Sequence, residues 1–298
     1  METIGKHELW SFPDSSGEVK VVTNTEVRKG EGCPVGSYLE LATKIAELQF
    51  RNKSHVLMFR GQNRDFRNRV NNTSIKPGLF RPDAKGKNPG KDMLFKRFET
   101  LKLAEEKLTQ AYLAYVDPSL PEGKKDRGFL GKDRIQRTRV LRWSILQHYE
   151  VCPTPLLDVT HSLRIAASFA SLDNHQEQAF IYVLGIPNFS GGITASAEAG
   201  LQTIRLSSVC PPQAIRPHIQ EGYLLGEYPE FDSFQQESLY AAYEIDFGLR
   251  LVAKFYFHPV NFWNSKDFPQ VTKAALYPDQ DDPLFKLAQA LRRDLNSN

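Results

Sequence analysis

Residues 145–170 read ILQHYEVCPTPLLDVTHSLRIAASFA, and the fold class turns on this stretch. An apolar segment ends in His148 and Tyr149, and a proline-flanked turn leads into Leu156-Leu157-Asp158-Val159-Thr160. The apolar spacing then changes to that of a helix, with Leu163, Ala166, Ala167 and Ala170 on one side. The pattern predicts a strand at 156–160 followed by a helix from about His161 or Ser162. A strand that stops on Asp and Thr must satisfy those polar groups internally or present them to a ligand. One use is capping of the following helix by Thr160 or Asp158. The same turn aims helix N–H groups outward, where an anion can sit.

Working outward, HVLMFRG (55–61) predicts a buried strand that carries Arg60 at its end and runs into Gly61. An arginine there is costly to bury unpaired, and its planar fork of donors suits a carboxylate or a phosphate. Asp158 is the candidate internal partner. QAFIYVLGI (178–186) and RLVAKFYFHP (250–259) predict further strands, and VKVVTNTEV (19–27) a short one. GSYLELATKIAELQF, capped at Ser37, predicts a helix with Leu39, Ala42, Ile45, Ala46 and Leu48 on its period. Residues 91–116 predict a long helix, and a second is expected from about Asp133 to Tyr149. DPLFKLAQALRRDL predicts a closing helix. Strands and helices of both kinds, with a strand-dense second half, predict an α+β fold.

AIRPHIQEGYLL places Arg216, His218, Gln220, Glu221 and Tyr223 close together. On a strand, Gln220 and Glu221 point to opposite faces, so one of them at most serves a given pocket. Gln235-Gln236-Glu237 offers a rival carboxylate, Glu237.

Composition narrows the classes. The chain has 298 residues, 41% hydrophobic and 24% charged, which is ordinary globular usage with ample length for a core. A net charge of +3 is too mild to argue by itself for nucleic acid. The exception is 121–142, with eight Lys or Arg against three acids, including Lys124, Lys125, Arg127, Lys132, Arg134, Arg137 and Arg139. It reads as a solvated helix face or as a track for phosphates. Cys33, Cys152 and Cys210 have no short spacing, which argues against a disulfide framework or a metal site. The absence of a membrane-spanning run or a signal pattern predicts a cytoplasmic protein. Glycine-rich phosphate loops, Gly-x-Ser-x-Gly elbows and His-Glu-x-x-His motifs do not occur in the sequence.

Five segments in order, FRGQNRDF (59–66), PGLFR (77–81), 147–170, RPHIQEGYL (216–224) and LYPDQDDPLFKL (276–287), resemble the landmarks of the FRG domain family. The resemblance spans about 36–295, leaving 1–35 as an N-terminal extension and about 85–140 as a helical insertion. Four positions depart from the family pattern. Glu150 stands where Gly is usual, Pro155 where Arg is, Val159 where Trp is, and Glu221 where a second Gln is. The motif order is similar to that of the ADP-ribosyltransferase superfamily. That likeness implies a split β core with flanking helices, NAD as substrate, and transfer of ADP-ribose to a nucleic acid or protein acceptor. A toxin or phage-defence setting is implied as well.

The resemblance further implies roles for single residues. Arg60, Gly61, Gln62, His148, Tyr149, Asp158 and Thr160 are expected around NAD. Arg60 holds a phosphate or ribose, and Tyr149 is able to stack on the nicotinamide. Gln220 is first candidate for the ribose-binding catalytic group, with Glu221 second. An NAD glycohydrolase and a non-catalytic nucleotide- or partner-binding module are the alternatives. No metal and no membrane are expected.

Overall fold

The structure is a computed structural model that describes residues 8–83, 86–123, 127–188, 190–231, 233–237, 245–264 and 266–297. Two short strands, β1 (Leu9–Ser11) and β2 (Lys20–Val22), pair antiparallel. The other eight form one mixed sheet: β3 (Cys33–Pro34), β4 (Val56–Gln62), β5 (Leu157–Thr160), β6 (Ala179–Ile186), β7 (Ile193–Ser196), β8 (Leu201–Arg205), β9 (Gly222–Glu227) and β10 (Leu251–Phe257). Their order is β3-β10-β6-β4-β5-β9-β8-β7, with β3 and β10 parallel and every other neighbour antiparallel. The fold is therefore α+β.

The sheet is continuous, yet it forks in the middle. β4 pairs with β6 at every position from Val56 to Gln62, and β5 pairs with β9 throughout. Between β4 and β5 the pairing is the one position Phe59↔Thr160. Beyond it the strands part, and a guanidinium nitrogen of Arg60 reaches across to the backbone carbonyl of Asp158.

Both faces of the sheet are covered. Along β9, Tyr223 and Leu225 enter one apolar cluster while Leu224 enters another, as the two-residue period of a strand requires. The first cluster holds β4, β6 and β10 together with helices 38–51 and 163–171. The second packs helices 91–114, 139–148 and 283–297 around Leu101, Leu108, Trp143 and Leu291. Glu105 ties the first two of these helices together, accepting from Arg142 Nε at 3.0 Å and from Trp143 Nε1 at 2.8 Å. Residues 8–35 contribute Leu9, Phe12, Val27, Cys33 and Val35 to the first cluster.

Several expected elements change shape. VKVVTNTEV is a strand at 20–22 and then a helix, Asn24–Lys29, because Thr23 and Glu26 form a reciprocal capping box. In helix 38–51 the buried face is Leu41, Ile45 and Leu48, and Leu39 points to solvent. The helix expected from Asp133 to Tyr149 breaks at Thr138, and Arg142 Nη1 donates to the carbonyls of Ile135 and Gln136 there. RPHI (216–219) is a helical turn, so Gln220 and Glu221 sit in a bend before β9 rather than on a strand.

Candidate functional site

Where β4 and β5 part, a cavity of about 400 Å³ opens. That is within the usual size of a small-molecule site. Its walls come from Arg60, Gly61, Gln62, Arg81, Gln147, His148, Glu150, Asp158, Thr160, Phe169, Arg216, Gln220 and Tyr277, among others. All five of the quoted segments supply lining residues, although they span more than two hundred positions of the chain.

The close approach of helix 163–171 shapes one side. A Cβ at position 61 would lie 1.9 Å from the Ala166 carbonyl oxygen, so only glycine lets the helix rest directly on β4. That approach presents Phe169 to the cavity, where its ring meets Tyr277 edge-on at 5.9 Å. Glu150 lies just past the end of helix 139–148 with φ 55°, a left-handed conformation that suits the glycine usual at this position.

Asp158 is held from two sides. Gln147 Nε2 donates to one carboxylate oxygen at 2.5 Å, with Gln147 itself fixed by the Thr154 hydroxyl at 2.6 Å. His148 Nδ1 stands 3.7 Å from the other oxygen. Burial pushes this carboxyl up, but His148, the Arg60 guanidinium and Gln147 together outweigh it and hold it below the usual carboxylate range. The strand's other polar residue serves the fold: the Thr160 hydroxyl donates towards the carbonyls of Gln220 (2.9 Å) and Glu221 (3.1 Å) and accepts from Ser162 N–H. Gln220 borders the cavity, and its amide nitrogen donates to the Leu276 carbonyl at 2.8 Å.

Three guanidinium groups line the same space. Burial pushes Arg60 down to about 10, with the nearby charge of Arg81 adding to the effect. Arg216 is buried against Tyr149, Tyr277 and Phe285 and bridges to Asp279 at 2.6 Å. Arg60 Nε, Gln62 Oε1, His148 Nε2 and Arg216 Nε are buried with no hydrogen-bond partner. Such orphaned atoms are rare in folded proteins and costly, and these four belong to residues gathered around one cavity.

Two expected residues stay outside. Tyr149 is fully buried beneath Arg216, donates to Asp282 at 2.8 Å, and does not line the cavity, so its ring is not available for stacking. Glu221 is exposed in its bend with φ 44° and does not line the cavity either. The rival Glu237 is buried elsewhere, and burial raises its carboxyl. Arg81, Arg216, Phe169 and Tyr277 were not expected at the site. All four lie within the quoted segments, and their chemistry alone did not separate them from packing residues.

In the basic stretch, Lys124 and Lys125 lie outside the described residues. Arg139 and Arg142 turn inward to Glu105. Among the described residues, no group of three or more His, Cys, Asp or Glu is placed to hold a metal, and no helix is long and apolar enough to cross a membrane.

Fold and site together define an α+β protein with a cationic, aromatic-walled cleft at the fork of its sheet. The family model of the FRG domain matches residues 55–179, so the chain contains an FRG domain. That span covers β4, β5 and the start of β6, while Arg216, Gln220 and Tyr277 reach the cavity from beyond it. No curated protein and no solved structure matches the chain.

Proposed function

We propose that the cleft binds NAD and that the chain is an enzyme of the ADP-ribosyltransferase type. The observation that carries this reading is the convergence of all five quoted segments on one cavity with cationic and aromatic walls. Those walls match the two ends of a nucleotide: guanidinium forks for phosphate oxygens, and Phe169 with Tyr277 for a flat ring. The guanidinium groups of Arg60, Arg81 and Arg216 suit acceptor oxygens of such a ligand, and the Gln62 amide a ribose hydroxyl.

The chemistry would be cleavage of the bond between nicotinamide and ribose C1′, which then bonds to an acceptor nucleophile or to water. Its transition state has oxocarbenium character. Asp158, a carboxylate at the cavity that is ionised at neutral pH, is able to stabilise that charge, and Gln220 lines the same cavity with its amide. Glu221 has no part in this scheme. A protein or nucleic acid acceptor fits a toxin or phage-defence effector, and water as acceptor makes the same pocket a glycohydrolase.

One observation favours a second reading, a nucleotide-binding module without turnover. The polar groups of Thr160, Gln220 and Asp158 are all engaged in internal bonds. NAD consumption by the wild type, Arg60→Ala and Gln220→Ala, with mass spectrometry of the products, tests both. The expected result is turnover in the wild type and a loss of about a hundredfold or more in each variant. Equal turnover in all three sinks the assignment, and NAD binding without consumption selects the second reading.

A further inference from the structure

Arg60 and Arg81 both line the cleft, Arg60 half-buried and Arg81 at the exposed rim. Three other arginines drawn inward meet carboxylates: Arg28 meets Asp246 at 3.0 Å, Arg142 meets Glu105 at 3.0 Å, and Arg216 meets Asp279 at 2.6 Å. Neither Arg60 nor Arg81 has a carboxylate within ion-pair distance among the described residues. Arg60 gives one terminal nitrogen to the Asp158 carbonyl, and its Nε has no partner. Arg81, at the end of the 78–80 turn, gives Nε to the Lys76 carbonyl at 2.9 Å. Its terminal nitrogens meet no protein acceptor among the described residues.

The two like charges also feel each other. Burial lowers both groups, and Arg81 further disfavours the charge on Arg60. Two like charges that line one cavity gain nothing from each other. The ionised Asp158 is an opposite charge that both arginines feel, and a bound anion adds a second, so that two cations no longer share one carboxylate. A single carboxylate can neutralise only one of the two, whereas a diphosphate offers two charged groups to two planar forks.

We propose that Arg60 and Arg81 form a clamp for a diphosphate, so that the ligand of the cleft is a diphosphate-bearing nucleotide. The inference rests on the proposed reading of the cleft as a nucleotide site, and it adds Arg81 as the residue that sets ligand charge. Arg81 stands at the rim and retains solvent exposure, so it can close on a ligand without repacking the core.

Calorimetric titration of the full chain with pyrophosphate, orthophosphate and ADP-ribose tests the clamp, using wild type, Arg81→Ala and Arg81→Lys. Pyrophosphate is expected to bind more tightly than orthophosphate, and Arg81→Ala to weaken it about tenfold or more. Arg81→Lys should recover part of the loss, since it restores the charge without the fork. ADP-ribose binding tighter than pyrophosphate places the diphosphate on a nucleotide, and weaker binding overturns that source. Should Arg81→Ala melt early, Arg81→Gln keeps the stem and serves in its place. No pyrophosphate binding at millimolar concentration, or equal binding by wild type and Arg81→Ala, overturns the clamp. Arg81-dependent pyrophosphate binding without NAD turnover keeps the clamp and removes the ADP-ribosyltransferase reading. NAD turnover that is indifferent to Arg81 does the reverse.

Discussion

Asp158 shows how one side chain serves fold and site together. Its carboxylate anchors Gln147 and faces His148, while its carbonyl receives Arg60. The folded state holds this carboxyl below its ordinary range, so it binds protons less readily than the unfolded chain does. The stabilisation is therefore complete above the unfolded value, about 4, and is lost as pH falls through the lower folded value. Asp158→Asn should be less stable than the wild type at pH 7 in urea unfolding, with the gap closing below about pH 4. A gap that persists unchanged into acid would show that the carboxylate charge is not what stabilises. Tyr149 gives the opposite lesson: its hydroxyl bonds to Asp282, which also receives the backbone N–H groups of Ile215 and Arg216. It thereby fixes the segment that delivers Arg216.

At the scale of elements, the junction of β4 with helix 163–171 governs the cleft. The run of alanines in IAASFA and the glycine at 61 are complementary halves of one contact. Gly61→Ala drives a methyl into the Ala166 carbonyl, and the helix must lift off the strand. A loss of about 3 kcal/mol or more is expected on denaturant unfolding, the upper end of overpacking costs. A variant as stable as the wild type would mean that helix and strand are not in contact as described. The capping box at Thr23 and Glu26 was legible as a Thr-x-x-Glu spacing, yet the β-branched run around it favoured a strand reading. Short helices such as 216–219 escape any period-based reading, because four residues complete barely one turn.

For the whole molecule, residues 8–35 form part of the main core. β3 lies on the edge of the sheet beside β10, Arg28 pairs with Asp246, and the buried Lys254 donates to the Gly30 carbonyl at 2.6 Å. Removal of residues 1–35 strips one flank of β10 and leaves Lys254 short of a partner. The truncated chain is expected to be insoluble, or to melt well below the full chain by calorimetry. An equally stable truncated chain would show that this segment only rests on the surface.

The sequence by itself determined the α+β class, the strands that carry Arg60 and Asp158, and the helix after Thr160. Those features rest on local periodicity and on glycine and proline, whose effects act within a few residues. The segments that line the cleft were legible for the same reason, as strings of residue types in order. Only the tertiary structure decided which side chains of each segment reach the cavity. Tyr149 turned into the core and Glu221 into solvent, while Arg81, Arg216 and Tyr277 came to the cleft. Those outcomes follow from where the sheet forks and how closely one helix sits upon it. Both are set by packing between residues far apart in the chain.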